Sequence, residues 1–467
     1  MIWLNWNFFI QIFILIYFSA INGIYSFLMI VAFIEFRNQH RRSFIDDYPY
    51  LYRSKLTPGV SILVPAYNEE ATVIEALKSH LSTRYPKFEV IVINDGSKDK
   101  TLEILKKEFK LKKIYHVMQT RIKTKSIRGY YISASEPNLI VLDKINGGKA
   151  DALNAGINAS NYPYFISIDA DVILEEDAML RIMKPMLENP EKNMVAGGIV
   201  RVVNGCVVEN GKIKEVRLSK KFLPVFQVIE YMRAFTAGRA GFSKIKALLI
   251  VSGAFGVFNT EEVRKVGGYE RKTVSEDMEL LVRLHRSLRE QNKDYNILFS
   301  TYPVCWTEVP ESLRILGRQR NRWHRGLCDT LTRHKKMILN PRYGAIGLVG
   351  MPFFVFFEFL GPIIELVGYL YVIYLIVFGI MNWSFFLLFL ALAVLWSVLL
   401  SVSAVLFEDI NFKRYDKWYY IAVLILFSLF ENFGYRHLTL IFRIHGLFDY
   451  LRGKKAWGAM SRKGFNQ

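Results

Sequence analysis

The first 34 residues carry no charged side chain, and the stretch Tyr343–Phe407 carries only Glu358 and Glu365. Runs of this kind tolerate few environments, because a helix needs only about 20 apolar residues to cross about 30 Å of hydrocarbon. Phe8–Ala32 meets that length. It lacks the basic start and small-residue cleavage site of a secretion signal, so the sequence predicts an anchor. Arg37, Arg41 and Arg42 follow it and place the next segment in the cytoplasm by the positive-inside rule. A purely soluble chain is excluded.

Toward the other end, Ala345–Ile380 is long for one upright span, Trp383–Phe407 is a span, and Tyr419–Phe430 is the core of another. Arg436, Arg443, Arg452, Lys454, Lys455, Arg462 and Lys463 then argue for a cytoplasmic C-terminus. That parity predicts four C-terminal crossings, with Ala345–Ile380 divided near Gly361-Pro362. Glu358 and Glu365, two helical turns apart, share a face on a continuous helix. Carboxylates at that depth either pair with a neighbouring helix or line a path for a polar solute.

Between the two apolar regions the periodicity changes. Short β-rich runs (60–64, 88–93, 139–142 and 164–168) alternate with helical patterns at Glu70–Leu81, Lys100–Phe109, Ala150–Ala159 and Glu176–Leu187. Alternation of this kind predicts βαβ units and a parallel sheet, with polar residues gathered at the strands' carboxyl ends. Three cysteines without a CxxC spacing exclude a disulfide framework or zinc ribbon, and the eight histidines form no metal-ligand pattern. The net charge of +19 needs no nucleic acid, since membrane lipids and an anionic nucleotide suffice to account for it.

The polar clusters follow those strands. PAYNEE (65–70) and NDGSKD (94–99) come after the first two; each alone is also what a turn requires. In NGGKADALNAG (146–156) paired glycines and Lys149 open a helix, a pattern suited to phosphate, although the spacing is not that of a P-loop. Asp169 and Asp171, at i and i+2 beyond a strand, can hold one divalent cation or cap the next helix. Ser275-Glu276-Asp277 begins an amphipathic helix, where a carboxylate can act as general base or as a cap. Gln319-Arg320-Asn321-Arg322-Trp323 lies in a basic stretch, Arg314 to Lys336, that also suits a lipid surface.

Taken in order, PAYNEE, NDGS, GGKADALN, DAD, SGAFG, SED and QRNRW between membrane spans resemble the membrane-integrated family 2 glycosyltransferases, which include cellulose, hyaluronan and poly-N-acetylglucosamine synthases. The motifs cover about residues 60–325. The resemblance implies an α/β GT-A (Rossmann-like) cytoplasmic domain with an α-helical multi-pass transmembrane region in the plasma membrane. It implies an inverting transfer from a UDP-sugar with Mg²⁺ or Mn²⁺. By motif, Tyr67 and Asp95 would contact uridine and Lys149 would lie near the nucleotide. Asp169 would touch the donor, and with Asp171 it would form the metal pair. Asp277 would be the base, Gln319 and Arg322 would clamp the diphosphate, and Trp323, with Ser252 and Gly253, would shape the acceptor site.

The implied organisation is an anchor (1–36), a linker (37–59), the catalytic domain (60–310), basic interfacial helices (311–342), a membrane bundle (343–440) and a basic tail (441–467). The layout, including FQVIEYMRAF and the absence of a soluble domain after the last spans, favours a compact poly-N-acetylglucosamine or hyaluronan type. The expected acceptor is a growing β-linked polysaccharide passed across the membrane, with an accessory export subunit as a further partner. Single-sugar transfer to a membrane lipid and a non-enzymatic export role are the alternatives.

Overall fold

A computed structural model describes residues 2–43, 56–454 and 464–465. Residues 44–55 of the expected linker, and 455–463 and 466–467 of the basic tail, lie outside the described residues. The central domain is built on a ten-stranded sheet of order β3-β4-β5-β2-β1-β6-β11-β8-β12-β7. Its strands are β1 (Val60–Ala66), β2 (Phe88–Asn94), β3 (Leu111–Ile114), β4 (Ile127–Ser133), β5 (Leu139–Lys144), β6 (Tyr164–Ile168), β7 (Val172–Leu174), β8 (Asn193–Val202), β11 (Phe255–Asn259) and β12 (Asn296–Thr307). A separate ribbon pairs β9 (Val207–Glu209) with β10 (Lys212–Glu215).

The four strand runs legible in the sequence form the parallel centre: β5, β2, β1 and β6. Strands covered on both faces are apolar along their length, and β1, β2 and β6 are buried almost throughout. The sheet is mixed rather than parallel, however. β11 runs antiparallel to both β6 and β8, because a long helical excursion returns the chain to the sheet from the other end. The expected helices appear as α2 (Val73–Leu81), α3 (Thr101–Glu108), α4 (Lys149–Ala159) and α5 (Ala178–Glu188), preceded by α1 (Ile2–Ser43). Then come α6 (Phe222–Met232), α7 (Glu276–Glu290) and α8 (Leu313–Arg333). All three cysteines are free and buried.

Among the described residues three helices are long and apolar enough to cross a membrane: Asn7–Asn38 within α1, α9 (Ile346–Val377) and α10 (Trp383–Phe412). The expected division near Gly361-Pro362 is not observed. Pro362 sits in the first turn after a π-helical run (Phe354–Phe359), where its missing N–H costs no helical bond, so α9 continues past it. A further pair, α11 (Trp418–Phe430) and α12 (Tyr435–Leu451), is bent by 58°. Both ends of this pair lie at the sheet domain. Lys417 is 3.8 Å from Glu215, whereas Asp449 accepts a hydrogen bond from Asn321 of α8 at 3.0 Å.

Candidate active site

The site forms where the polar segments after the parallel strands meet α7 and α8. Lys144, the last residue of β5, is fully buried and its ammonium lies 2.6 Å from Asp95 and 2.7 Å from Asp151. Asp95 also accepts the backbone N–H groups of Gly147 at 2.9 Å and Gly148 at 2.7 Å. The amides that open α4, read in the sequence as suited to phosphate, are thus engaged by a carboxylate of the protein itself. Burial pushes the Asp95 carboxyl up against the lowering effect of these partners. Gly148, at φ +87°, lets the chain turn into the helix. Tyr67, beyond β1, is 44% exposed on the same edge.

Lys149 is the hub of the second layer. Its Nζ lies 2.5 Å from Asp169, 3.5 Å from Glu276 and 3.4 Å from the carbonyl oxygen of Gly253. Burial disfavours its charge, but Asp169 and Glu276 outweigh burial and hold the ammonium above its ordinary value. Glu276 is itself raised by burial, against the pull of Lys149. Gly253 has no room for a side chain: a Cβ there would fall 2.9 Å from Asp277 Oδ2 and 3.4 Å from the Lys149 ammonium. Asp277 Oδ1 accepts from Ser275 Oγ at 3.1 Å and from the Met278 N–H at 2.9 Å. Its Oδ2 is thereby aimed toward Gly253. Ser252 Oγ accepts the Ala254 N–H at 3.1 Å and shapes that turn.

Helix α8 docks on α7 through a glycine. A Cβ on Gly326 would fall 2.3 Å from Ser275 Cβ, so only glycine permits the approach. Arg322, four residues earlier, shares that face, and Glu276 feels its charge. Trp323 is 39% exposed and the Arg320 guanidinium lies 4.2 Å from its ring centre. Asp169, Asp277 and Arg322 therefore gather around Lys149 and Glu276. Three expected residues turn away from open space. Asp95 points inward; Asp171 is buried and accepts from Thr307 at 3.3 Å; Gln319 is buried, its side-chain oxygen without a partner among the described residues.

Asp169 and Asp171 supply the hard oxygen donors that magnesium and manganese favour. Among the described residues no cluster of three or more metal-ligating side chains exists. The pair therefore fits a divalent ion only if the nucleotide's phosphate oxygens complete the shell. Lys144 was outside every motif in the sequence, and Asp151 and Glu276 stood there only as members of their clusters. Lys144 carried a usable signal, since it ends a strand as the other clusters do.

Trp323 also opens onto a cavity of about 400 Å³ among the apolar helices. Glu358 accepts from Tyr25 at 2.7 Å and lies 3.0 Å from Arg443; Glu365 lies 3.1 Å from Arg436. Both glutamates line the cavity, and the ion pairs are those of the first reading, carboxylates paired with a neighbouring helix. Arg436 and Arg443, read as markers of membrane side, are their partners.

Against known families, residues 61–243 match the model described as Glycosyl transferase family 2, and residues 164–400 match Glycosyl transferase family group 2. The second match alone spans just over half of the chain. The chain belongs to the family 2 glycosyltransferases. Membership makes it a glycosyltransferase and implies a nucleotide-sugar donor. It is 30% identical over 275 residues to a poly-β-1,6-N-acetyl-D-glucosamine synthase of Staphylococcus epidermidis, covering 59% of this chain and 56% of that protein. The synthase of Staphylococcus aureus strain COL is 28% identical over the same span. The chain thus matches little more than half the length of these curated relatives. Among solved structures, a mannosyltransferase from Pyrobaculum calidifontis in complex with GDP-Man and Mn²⁺ aligns over 94% of this chain and 99% of its own, with TM-score 0.50 and 16% identity. That likeness concerns the fold, a GT-A-like α/β sheet domain with apolar helices.

Proposed function

We propose that this glycosyltransferase extends a β-linked, N-acetylglucosamine-type polysaccharide from a UDP-sugar at the cytoplasmic face of the plasma membrane and feeds the product between its own helices. The observation that carries the reading is that Trp323 belongs both to the helix docked on the catalytic acids and to the wall of the intramembrane cavity. An acceptor sugar stacked on that ring would lie with one end at Asp277 and the other toward Glu358 and Glu365.

In the proposed reaction Asp277 takes the proton of the acceptor hydroxyl. The acceptor oxygen forms a bond to the anomeric carbon on the face opposite the diphosphate, and the bond to the diphosphate oxygen breaks, inverting the centre. Arg322 and Lys149 would face the charge that develops on the leaving nucleotide. A Mg²⁺ or Mn²⁺ ion held by Asp169 and Asp171 would supply further charge neutralisation there. Tyr67, on the exposed edge, would contact the uracil ring, and Asp95 would act by holding the Gly147-Gly148 turn.

Incubating the purified protein in lipid with labelled UDP-N-acetylglucosamine and sizing the product tests this reading. Long chains are expected, and a product one sugar longer than its acceptor overturns processivity. A second reading, single transfer to a membrane lipid, is favoured by the cavity's size, which is that of a small-ligand pocket rather than an open channel. Other UDP- and GDP-sugars in the same assay check the donor.

A further inference from the structure

On the opposite edge of the sheet, a second cavity of about 320 Å³ lies between α5, α7, β12 and the end of α1. Its wall includes Asn296, which pairs with Asn193 at the start of β8, whereas the catalytic clusters follow the far ends of β2 and β6. Five cationic side chains line it against two carboxylates, Glu35 and Glu188. Lys244 is engaged by Glu35 at 2.7 Å. Lys246 and Arg289 make no ion pair among the described residues, and the acid whose field they share, Asp294, is held by Lys192 at 2.5 Å.

Two features set these cations apart. Arg289 lies over the Tyr295 ring at 5.4 Å, and its Nε is buried without a hydrogen-bond partner. Lys246 adopts φ +57° at a helix end where glycine is usual, a conformation that costs a lysine backbone energy. His285 in the same wall is pushed down to about 4 by burial and adds no charge near neutrality. The pocket is therefore a net cationic hollow. It also lies at the boundary of the apolar helices: Glu35, in its wall, is in the last turn of the span Asn7–Asn38. A free anion gains nothing from that position, whereas the headgroup of a membrane lipid is held at such a boundary.

We infer that this cavity binds a phosphate group, carried by the headgroup of an anionic phospholipid, with Lys246 and Arg289 as its ligands. The site is independent of the sugar chemistry.

Acetylation of Lys246 in the full-length, detergent-purified protein reads its occupancy by peptide mass spectrometry. Phosphatidylglycerol is expected to slow the labelling about thirtyfold relative to phosphatidylcholine, as two cationic contacts imply. Exposed Lys112, on the far edge strand, should be unaffected. Arg289→Gln should abolish the protection, and Lys246→Gln should lose retained phosphatidylglycerol in native mass spectrometry. Protection by inorganic phosphate but not by phosphatidylglycerol overturns the lipid source. Equal labelling under all three conditions, or lipid retention unchanged in both variants, overturns the site.

Discussion

Asp277 and Glu276 are neighbours in sequence but differ in their surroundings. Asp277 presents one oxygen to the Gly253 turn, while Glu276 is buried beside Lys149. In the proposed mechanism Asp277→Asn lowers kcat by about 10²–10⁴ and leaves UDP affinity nearly unchanged, measured by turnover and by calorimetric titration. Glu276→Gln removes a carboxylate that holds Lys149, so it should weaken donor binding as well, and the contrast between the two variants checks the division of roles. His80 and His285 are buried and lowered from 6.5 to about 4. Unfolded chains bind protons at both positions through that window and the native protein does not. Stability is therefore complete above about 6.5 and is lost as the pH falls toward 4, by about 1.4 kcal/mol per unit of depression for each histidine. Thermal unfolding across that range should show the slope, and replacing either histidine by glutamine should flatten it.

At the level of elements, the site depends on how closely segments approach. Lys144 joins β2, β5 and α4 by holding Asp95 and Asp151 together. Lys144→Met leaves buried Asp95 without a cationic partner and Asp151 with Arg271 alone, and a loss of about 3 kcal/mol is expected in denaturant unfolding. Gly326 sets the distance between α7 and α8. Gly326→Val should displace Arg322 and Trp323 from the carboxylates, depressing turnover while far-ultraviolet circular dichroism keeps its helical signal. Helix α12 packs on α8 by the same device: a Cβ on Gly446 would fall 2.8 Å from the Asn321 carbonyl oxygen, and one on Gly317 would fall 3.0 Å from the Phe442 ring.

Across the whole molecule, charged contacts fasten α12 and the elbow before it around the cavity. Arg233 holds Glu431 at 2.8 Å, and Arg436 and Arg443 hold Glu365 and Glu358. Tyr435 donates to Glu230 at 2.6 Å, and Arg320 lies 2.7 Å from the same carboxylate. Charges removed from water are costly to leave unpaired. Arg443→Gln should lower stability by roughly 1–3 kcal/mol in a thermal melt, and Glu358→Gln in the same chain should recover part of it. If the cavity carries product, Arg443→Gln should also shorten the polymer while leaving the first sugar transfer intact.

Much of this was legible from residues 60–168, because buried parallel strands must be apolar along their length and polar clusters must then fall at their ends. β8 and β12 were not, since the glycines of NMVAGGIVRV and the Ser-Thr-Tyr-Pro of β12 interrupt any period. The sequence by itself determined the α/β core, the apolar helices and the order of the polar clusters, all of which are local properties of composition and spacing. Tertiary structure alone decided that Asp95 faces Lys144 rather than open space, that Lys149 bridges Asp169 to Glu276, and that two arginines near the C-terminus answer two glutamates in α9. Those are pairings across long stretches of chain, governed by the need to neutralise buried charge, and no local pattern encodes them.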